Sequence, residues 1–267
     1  MVTTTTTGRD GTLKFKFDPE VPDTELKEQL KSLPTARGVL ITFPLRGKGV
    51  VGRLVGGYKE THSLPEGGNG EEGEDGAQDF HFIQLGSTGI WSIEGQEQWV
   101  TRHSAYDKGD ARAVAEDELL ALGGCVLNLS GLWGGDRLVR HWIDRVAGTK
   151  EVLAGKKSLH MVHGVDVARG VVGVLEGWDK GKASGERWML TDLMVYDWWE
   201  LILGYAGQID EENGDREREG KQIKWIGELM EEQGARALPR SMEELGRCYD
   251  SREFWNTFGI MPVRGRV

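Results

Sequence analysis

The chain has 267 residues and a formal net charge of −10, and its Lys and Arg residues form no basic run. Phosphate binding needs clustered basic side chains, so this composition disfavours nucleic acids and anionic membranes as partners. No apolar run is long enough to cross a bilayer, and the start, MVTTTTTGRD, has no signal-peptide pattern. The sequence therefore predicts a soluble, cytoplasmic protein with one large α/β domain, alone or with a small lobe.

Predicted strands alternate with predicted helices along most of the chain, which is typical of a parallel sheet. The strands are predicted at 12–17, 38–43, 80–85, 125–129, 159–163 and 187–190. The helices are predicted at 23–33, 49–61, 111–122, 136–147, 165–175, 195–203 and 222–232. Asp23 or Thr24 is the predicted N-cap of the first helix.

Two acidic, glycine-rich stretches interrupt this pattern, at 64–79 and 210–220. Such a composition buries too little apolar surface to become ordered, so both are predicted to be flexible surface insertions. A third glycine-rich run, GKGVVGRLVGG at 47–57, lacks the Lys-Ser/Thr end of a phosphate loop. We interpret it as helix packing through glycine.

The two cysteines, Cys125 and Cys248, are too few for a disulfide framework. Cys125 lies inside an apolar stretch, CVLNL, where a small buried side chain fits well. We therefore interpret both cysteines as structural. The sequence has no ligand spacing typical of a metal site, so no metal is expected.

The most informative segment is FHFIQLGSTGIW at 80–91, an apolar strand that leads into a small-residue turn with Ser87 and Thr88. In open α/β sheets, ligands collect beyond the carboxyl ends of the strands, so these hydroxyls are candidates for substrate binding. The alternative is that they only cap the turn through local backbone hydrogen bonds.

Four segments in chain order carry a resemblance to a known family. They are LGSTGIWS at 85–92, VLNLSGLWGGDR at 126–137, LHMVHGVDVARGVVGVL at 159–175 and ERWMLTDLMVYDWWELI at 186–202. Together they resemble the extended and atypical short-chain dehydrogenase/reductases, especially NAD-dependent epimerase/dehydratase-like proteins. The resemblance implies a three-layer, Rossmann-like α/β fold, which is a parallel sheet with helices on both faces. It also implies an NAD(P)-binding-type domain at 1–190 and a small, mainly helical substrate lobe at 191–267.

The resemblance implies NADP or NAD as the cofactor. Relatives open with a strand, a GxxGxxG turn and a helix that hold the pyrophosphate. This chain has no such opening, so we expect an N-terminally truncated fold that lacks the first βα unit and binds dinucleotide weakly. Arg9 would lie near the adenine ribose and favour NADP. The cofactor-binding residues that the resemblance implies are Arg9, Phe43, Pro44, Leu129 and Ser130.

The family's catalytic tyrosine and lysine have no counterparts here. In relatives they lie four residues apart on the helix after the Ser/Thr turn, where the lysine lowers the pKa of the phenol. In KGDARAVAEDELL at 108–120, the two positions fall on Asp110 and Val114. Tyr106 lies upstream, but Lys108 is only two residues from it and would not share its helix face.

The resemblance nevertheless implies a set of site residues. The implied catalytic residues, for orienting a substrate oxygen and donating a proton, are Ser87, Thr88, His103 and Tyr106. Asn128 and Trp133 are the implied substrate contacts. The alternatives are a solvent-exposed polar loop around His103 and simple packing of Trp133.

Other polar and aromatic residues have structural interpretations. His160 and His163 flank an apolar strand and are interpreted as core or capping histidines. Asp166 is interpreted as a helix-start residue that favours the helix dipole. The tryptophans of the C-terminal part are predicted to be mostly core residues, namely Trp188, Trp198, Trp199, Trp225 and Trp255.

The resemblance implies an NAD(P)-dependent oxidoreductase or epimerase that acts on a carbonyl, hydroxyl or sugar-like small molecule. The alternative is a non-catalytic NAD(P)-binding sensor or scaffold that has lost the tyrosine and lysine. A protein-interaction module, suggested by the tryptophans and the acidic stretches, is a third hypothesis. A homodimer is also possible on this sequence.

Overall fold

The computed structural model describes residues 1–63, 79–95, 98–205 and 216–267. Most of the two predicted insertions, at 64–78 and 210–215, therefore lies outside the described residues. The end of the second, 216–220, forms the start of a long helix, which the sequence analysis did not expect.

The elements follow the predicted alternation of strands and helices. The strands are β1 (Thr4–Thr5), β2 (Leu13–Lys14), β3 (Gly38–Ile41), β4 (His81–Ser87), β5 (Trp99–Val100), β6 (Cys125–Leu129), β7 (Gly131–Trp133), β8 (Ser158–Leu159), β9 (Met161–His163), β10 (Arg187–Leu190), β11 (Tyr196–Asp197) and β12 (Cys248–Tyr249). The helices are α1 (Asp23–Lys31), α2 (Val50–His62), α3 (Ala111–Ala121), α4 (Ile143–Val146), α5 (Lys150–Ala154), α6 (Gly164–Gly177), α7 (Trp198–Tyr205), α8 (Arg216–Gln233), α9 (Met242–Leu245) and α10 (Arg252–Phe258).

A four-stranded sheet in the order β10-β6-β4-β3 forms the centre of the fold. Strands β3 and β4 pair in parallel, and each step along the sheet is connected by a segment that contains a helix. Parallel neighbours need such crossovers because a tight hairpin can join only antiparallel strands. All residues of β6 are buried, as the apolar run predicts for a strand covered on both faces.

By contact density the chain divides into two units. Unit 1 comprises Met1–Ile90, Asp107–Leu127 and Val174–Arg187. Unit 2 comprises Trp91–Tyr106, Asn128–Gly173 and Trp188–Val267. The boundary passes through β6, α6 and β10, each of which is one continuous element. The assignment of 1–190 to cofactor and 191–267 to substrate stays a prediction.

In unit 1, α1 packs against α2 through a glycine. A Cβ placed on Gly57 would lie 2.7 Å from the Cδ1 of Leu30, so no side chain fits there without movement of Leu30. Arg53 on α2 donates to the Asp23 carboxylate at 2.7 Å. The predicted cap of α1 is wrong, because Pro22 is the N-cap and makes no side-chain cap bond, while Asp23 binds Arg53.

The backbone amides of the turn before α2 donate hydrogen bonds to residues of α3. Gly47 N–H donates to Ala111 O at 2.8 Å, and the amides of Gly49 and Gly52 donate to the two carboxylate oxygens of Glu118 at 2.9 and 3.1 Å. A carboxylate at a helix N-terminus satisfies amides that lack partners within the helix and complements the helix dipole. The glycine run is thus a helix-packing element, as predicted.

Three predicted elements have different forms in the structure. Of the strand predicted at 12–17, only Leu13–Lys14 (β2) forms a strand, which pairs with β1 in parallel. The helix at 136–147 begins only at 139, as a 3-10 turn before α4, because Gly134 and Arg137 exchange two backbone hydrogen bonds in a tight bridge. The strand at 159–163 breaks at His160, since β8 pairs with β11 while β9 pairs with β7.

The core of unit 2 is rich in aromatic residues. Trp188, Trp198, Trp199 and Trp255 are buried, and Trp225 packs against the same cluster as Trp199, which confirms their prediction as core residues. Arg240 lies 3.7 Å over the Trp199 ring and binds the buried Asp197 carboxylate at 2.7 Å. Both cysteines are buried, as expected of structural residues.

Glu118 offers a direct test of the α2–α3 contact. We expect Glu118→Ala to lower the free energy of unfolding by about 2 kcal/mol, because two helix-start amides lose a charged acceptor. Glu118→Gln keeps one acceptor oxygen and should lose about half as much. Urea unfolding measures both, with Glu28→Ala on the exposed side of α1 as the control. Equal losses for Glu118→Ala and Glu28→Ala would contradict this contact.

Candidate functional site

The candidate site in unit 2 lies at the carboxyl ends of β6 and β10. Ser130 N–H donates to Leu190 O at 3.1 Å, and Gly131 N–H donates to His160 O at 2.9 Å. Asp192 N–H donates to Met161 O at 2.7 Å. These backbone bonds bring the residues after β6 and β10 to the start of β9, at the sheet edge where α/β proteins bind ligands.

Two predicted site residues after β6 have buried polar atoms without hydrogen-bond partners among the described residues. The Ser130 hydroxyl and the Trp133 indole N–H are buried, and neither has a hydrogen-bond partner within the part of the chain that the structure describes. A buried polar group without a partner costs about 1–3 kcal/mol, so these atoms mark a place for a polar ligand group or a water. Asn128, two residues before Ser130, is fully buried.

His163 borders the same region. Its ring packs edge to face on Trp133, with centroids 4.7 Å apart. Val165 N–H donates to its Nδ1 at 3.1 Å, so the neutral ring carries its proton on Nε2. A Cβ on Gly134 would lie 2.3 Å from that Nε2, so a glycine is required beside the ring. His163 thus caps the start of α6, as interpreted from the sequence.

His160 is a structural residue. It is buried, and its Nε2 accepts the amide hydrogen of Tyr249 at 3.0 Å. Burial, helped by the charge of Arg247, lowers the pKa of His160 to about 3. The ring is therefore neutral near pH 7.

Asp192 is the most perturbed carboxyl group of this region. Its Oδ2 accepts the Tyr196 hydroxyl at 2.5 Å, and its Oδ1 accepts Met194 N–H at 3.0 Å. Burial raises the pKa of Asp192 to about 6, although both hydrogen bonds oppose this shift. Burial and the neighbouring carboxylate raise the pKa of Tyr196, which stays a neutral donor.

Asp166 holds the last residues of the chain. Its Oδ1 accepts Val263 N–H and its Oδ2 accepts Arg264 N–H, both at 2.9 Å. Arg169, one turn along α6, binds Asp166 at 3.0 Å and also donates to Met261 O. Asp166 therefore lies in the first turn of α6, as expected, and also ties segment 261–264 to this helix.

Ser87 and Thr88 lie in unit 1, at the end of β4. The Ser87 hydroxyl accepts Gly89 N–H at 3.1 Å, which is the local turn contact named as the alternative for these residues. Thr88 begins a short 3-10 helix and is buried. Their roles toward a substrate stay predictions.

The other two predicted catalytic residues are held by separate contacts. His103 Nε2 lies 2.9 Å from the Glu253 carboxylate, which also binds Arg102. The hydrogen bond from Arg102, more than the charge of His103, lowers the pKa of Glu253. Tyr106 packs edge to face on Trp91, with ring centroids 6.5 Å apart. The structure thus places His103 on an exposed ion-pair cluster.

The predicted cofactor residues have varied environments. Arg9 is exposed and lies 3.8 Å from Asp10, Phe43 stacks on Phe17, and Pro44 is exposed. Leu129 is buried at the end of β6. Their contacts with a cofactor stay predictions.

The glycine-rich turn between β3 and α2 does not fit the pyrophosphate of a dinucleotide. This is the turn from Gly47 to Gly52, and a pyrophosphate would need its free amides. Those glycine amides already donate to Ala111 and Glu118 of α3. The Glu118 carboxylate would also repel a phosphate, so this turn does not fit the group.

Helix α3 carries no tyrosine and no lysine. Asp110, at the position expected for the tyrosine, is the N-cap and accepts Arg112 N–H at 2.8 Å and Ala113 N–H at 3.2 Å. Tyr106 and Lys108 lie before the helix, so they do not form a helical pair. The family's proton-transfer pair has no counterpart on this helix.

Sequence reasoning missed Asp192 and Tyr196. A signal existed, because Asp192 follows the predicted strand 187–190 by two residues, at the sheet edge where chemistry is expected. The hydrogen bond from Tyr196 and the burial of both residues depend on the packing of β11 and segment 263–267. No sequence pattern reports these contacts.

Comparisons with known proteins were made on sequence and on structure. No protein-family model matches the sequence. No curated protein matches it either. A protein assigned as an NAD-dependent epimerase/dehydratase from Methylobacillus flagellatus has a TM-score of 0.57 at 14% identity, over 95% of this chain and 80% of that one.

Two further solved structures give similar values. MoeE5 in complex with UDP-glucuronic acid and NAD has a TM-score of 0.54 at 12% identity, over 95% of this chain and 82% of that one. DesIV, a dTDP-glucose 4,6-dehydratase from Streptomyces venezuelae with NAD and TYD bound, has a TM-score of 0.53 at 13% identity, over 96% and 76%. The chain therefore shares the Rossmann-like α/β fold of these proteins, which confirms the predicted fold class.

Among the described residues, no group of three or more His, Cys, Asp or Glu side chains is arranged to hold a metal ion. The described helices include none that is both long and apolar enough to cross a bilayer.

Two buried serines provide a matched test of the site. The Ser251 hydroxyl bonds to the Thr191 hydroxyl at 2.8 Å and accepts Thr191 N–H at 3.3 Å. We expect Ser251→Ala to lower the free energy of unfolding by about 1–2 kcal/mol, because buried partners lose a hydrogen bond. Ser130→Ala should not lower it and should raise it by about 1 kcal/mol, since it removes a buried hydroxyl that has no described protein partner. Urea unfolding measures both, and a larger loss for Ser130→Ala would contradict this assignment.

Asp192 should make stability depend on pH. Its pKa is raised from its ordinary value of 3.8 to about 6 in the folded protein, so the folded state binds this proton more tightly than the unfolded chain. The resulting stabilisation is fully present below about pH 4 and is lost as the pH rises through about 6. Relative to Asp192→Asn, the free energy of unfolding should fall by about 2 kcal/mol from pH 4 to pH 7. A pH-independent difference in urea unfolding would disprove the shift.

Proposed function

We propose that this protein is a short-chain dehydrogenase/reductase-like binding protein, a sensor or scaffold that takes a sugar-like or carbonyl-bearing small molecule without performing hydride transfer. The ligand would lie at the carboxyl end of β6, against Asn128, Ser130 and Trp133. The buried polar atoms of Ser130 and Trp133 have no hydrogen-bond partner among the described residues. They carry this proposal, because a ligand hydroxyl or carbonyl would be that partner. A half-exposed indole beside His163 offers a flat apolar wall for a sugar ring.

The absence of hydride transfer is supported by two observations on α3. This helix has no tyrosine or lysine to move a proton. Its Glu118 carboxylate accepts hydrogen bonds from the amides of Gly49 and Gly52 in the turn before α2. Proton transfer in the usual mechanism needs a group whose pKa is matched to neutral pH and whose position is fixed. The Nε2 of His160 already accepts the amide hydrogen of Tyr249, and the Nδ1 of His163 accepts that of Val165 at the start of α6.

A second candidate is an NAD(P)-dependent oxidoreductase or epimerase. It is favoured by the fold, since the similar structures of MoeE5 and DesIV hold NAD together with a UDP-sugar or a nucleotide ligand. In that case Ser87 or Thr88 would orient the substrate oxygen and His103 or Tyr106 would donate the proton. A homodimer in the cytoplasm is compatible with either candidate.

Calorimetry on the full chain separates the two candidates. NADPH, NADH, UDP-glucose and UDP-glucuronic acid are titrated singly, and NADPH consumption is followed with a panel of carbonyl compounds. The binding-protein proposal predicts a sugar ligand that binds without turnover and only weak dinucleotide binding. Tight NADPH binding with turnover would overturn it in favour of the oxidoreductase.

A variant pair tests the site itself. We expect Ser130→Ala to weaken binding of the sugar ligand about tenfold, because one hydrogen bond to the ligand is lost. Ser92→Ala, on an exposed serine, is the matched control and should bind as the natural chain does. Unchanged affinity for Ser130→Ala would disprove the placement of the ligand at β6.

A further inference from the structure

Segment 261–267 is held to the rest of unit 2 through its backbone. Asp166 of α6 accepts the amide hydrogens of Val263 and Arg264, both at 2.9 Å. No side chain of the segment is buried, so apolar burial contributes little to its position. We call residues 261–267 the strap. A segment with few buried contacts opens at a lower free energy than the core does.

The hydroxyl group of Tyr196 connects the strap to Asp192. Its oxygen accepts the amide hydrogen of Arg266 at 2.9 Å, and its hydrogen is donated to the Asp192 carboxyl at 2.5 Å. Asp192 lies two residues after β10, and its amide donates to Met161 O at the start of β9. Two hydrogen bonds therefore link the strap to the carboxyl end of β10, at the sheet edge where α/β proteins bind ligands.

The two turns that these hydrogen bonds join each have a residue in the left-handed region. Leu193, next to Asp192, has a φ of 66°, and Arg266 has a φ of 72°. Leucine and arginine rarely adopt this conformation, and such strain is concentrated in active sites and switch regions. A Cβ on Gly265 would lie 3.9 Å from Met194, so the strap also lies beside the turn that follows β10. The strain at Arg266 makes the closed position of the strap easier to leave.

Burial is the main cause of the raised pKa of Asp192. The hydrogen bond from Tyr196 opposes this pKa shift, and the charge of Asp166 adds the smallest contribution. The other charged or titratable groups on the elements around Asp192 are His163 of β9, Arg169 of α6, and Arg264 and Arg266 of the strap. Because the strap contacts Tyr196 and lies beside Met194, it contributes to the burial of Asp192.

The closed strap thus favours the protonated form of Asp192. An open strap lets water reach the carboxyl group, whose pKa then returns toward its ordinary value of 3.8. The closed state binds this proton more tightly than the open state does. Closing is therefore favoured below the raised pKa and is disfavoured as the pH rises through it.

We propose that the strap is a pH-sensitive cover at the carboxyl end of β10, and that ionisation of Asp192 loosens it. The loosened strap exposes Asp192 and Tyr196, a carboxylate and a phenol, at the ligand-binding edge of the sheet. The proposal needs no ligand, so it is independent of the proposed function.

Hydrogen exchange on the full chain at about pH 5 and about pH 7.5 tests this cover. Protection factors correct each amide for its intrinsic exchange rate, so they report opening at each pH. We expect the protection of the strap amides to fall about tenfold between the two pH values, because the pKa of Asp192 changes from about 6 to about 4 when the strap opens. The amides of β6 are the internal reference and should exchange much more slowly at both pH values.

Three variants separate the groups involved. Asp192→Asn should remove the pH dependence, because a side-chain amide does not ionise. Tyr196→Phe should lower strap protection about tenfold at the lower pH, because the Arg266 amide loses its acceptor. Tyr205→Phe, at a half-buried tyrosine of α7, is the matched control and should leave strap protection unchanged. Circular dichroism verifies folding, and Asp166→Asn replaces Tyr196→Phe if that variant does not fold.

Strap protection that does not change with pH in the natural chain, or that still changes in Asp192→Asn, would overturn the proposal. Equal strap protection in Tyr196→Phe and Tyr205→Phe would also overturn it. The same holds for strap amides that exchange as slowly as those of β6, because the strap would then open only when the whole chain unfolds.

Discussion

The region beyond β6 and β10 depends on a few backbone hydrogen bonds. Ser130 donates to Leu190, Gly131 to His160 and Asp192 to Met161, so the chain leaving each strand is fixed to its neighbour. Buried backbone groups must be paired, and these pairings allow few alternative positions for the side chains between them. The positions of Ser130, Trp133 and Asp192 follow from this arrangement.

Burial determines the charge states in unit 2. The His160 ring is kept neutral because its charged form would be desolvated next to Arg247, and it accepts a backbone hydrogen instead. The Asp192 carboxyl is buried beside Tyr196, and it ionises at a higher pH than an exposed carboxyl would. By contrast, Asp197 is buried with a bidentate arginine partner, which offsets the cost of desolvating a charge. Whether a buried group in this unit carries a charge therefore depends on the partners that surround it.

Glu118 and Asp110 explain why a shared fold does not imply shared chemistry here. The Glu118 carboxylate accepts hydrogen bonds from two amides of a glycine turn. The Asp110 carboxylate caps α3 at the position expected for a catalytic tyrosine. Both residues stabilise helix ends, and neither provides the proton transfer that the resemblance implied. The binding role therefore stays a proposal, since a shared fold alone does not decide the chemistry.

Local patterns in the sequence predicted much of the fold. The strand at 125–129 and the strand at 187–190 have the predicted bounds, and α1, α2, α3 and α6 lie within a few residues of theirs. Apolar runs and helical periodicity are local properties, so they can be recognised without knowledge of the tertiary contacts. The break at His160 was not predictable, because it arises from two different pairing partners, β11 and β7.

The sequence by itself determined the alternating α/β architecture, the buried strands and the glycine packing of α2. Only the tertiary structure decided which polar groups meet: Glu118 with the glycine amides, Asp192 with Tyr196, and Asp166 with the amides of 263 and 264. Each of these contacts joins residues from different elements or different turns, and their energies depend on burial and distance. A one-dimensional pattern records residue types and spacings, but it contains neither of those quantities.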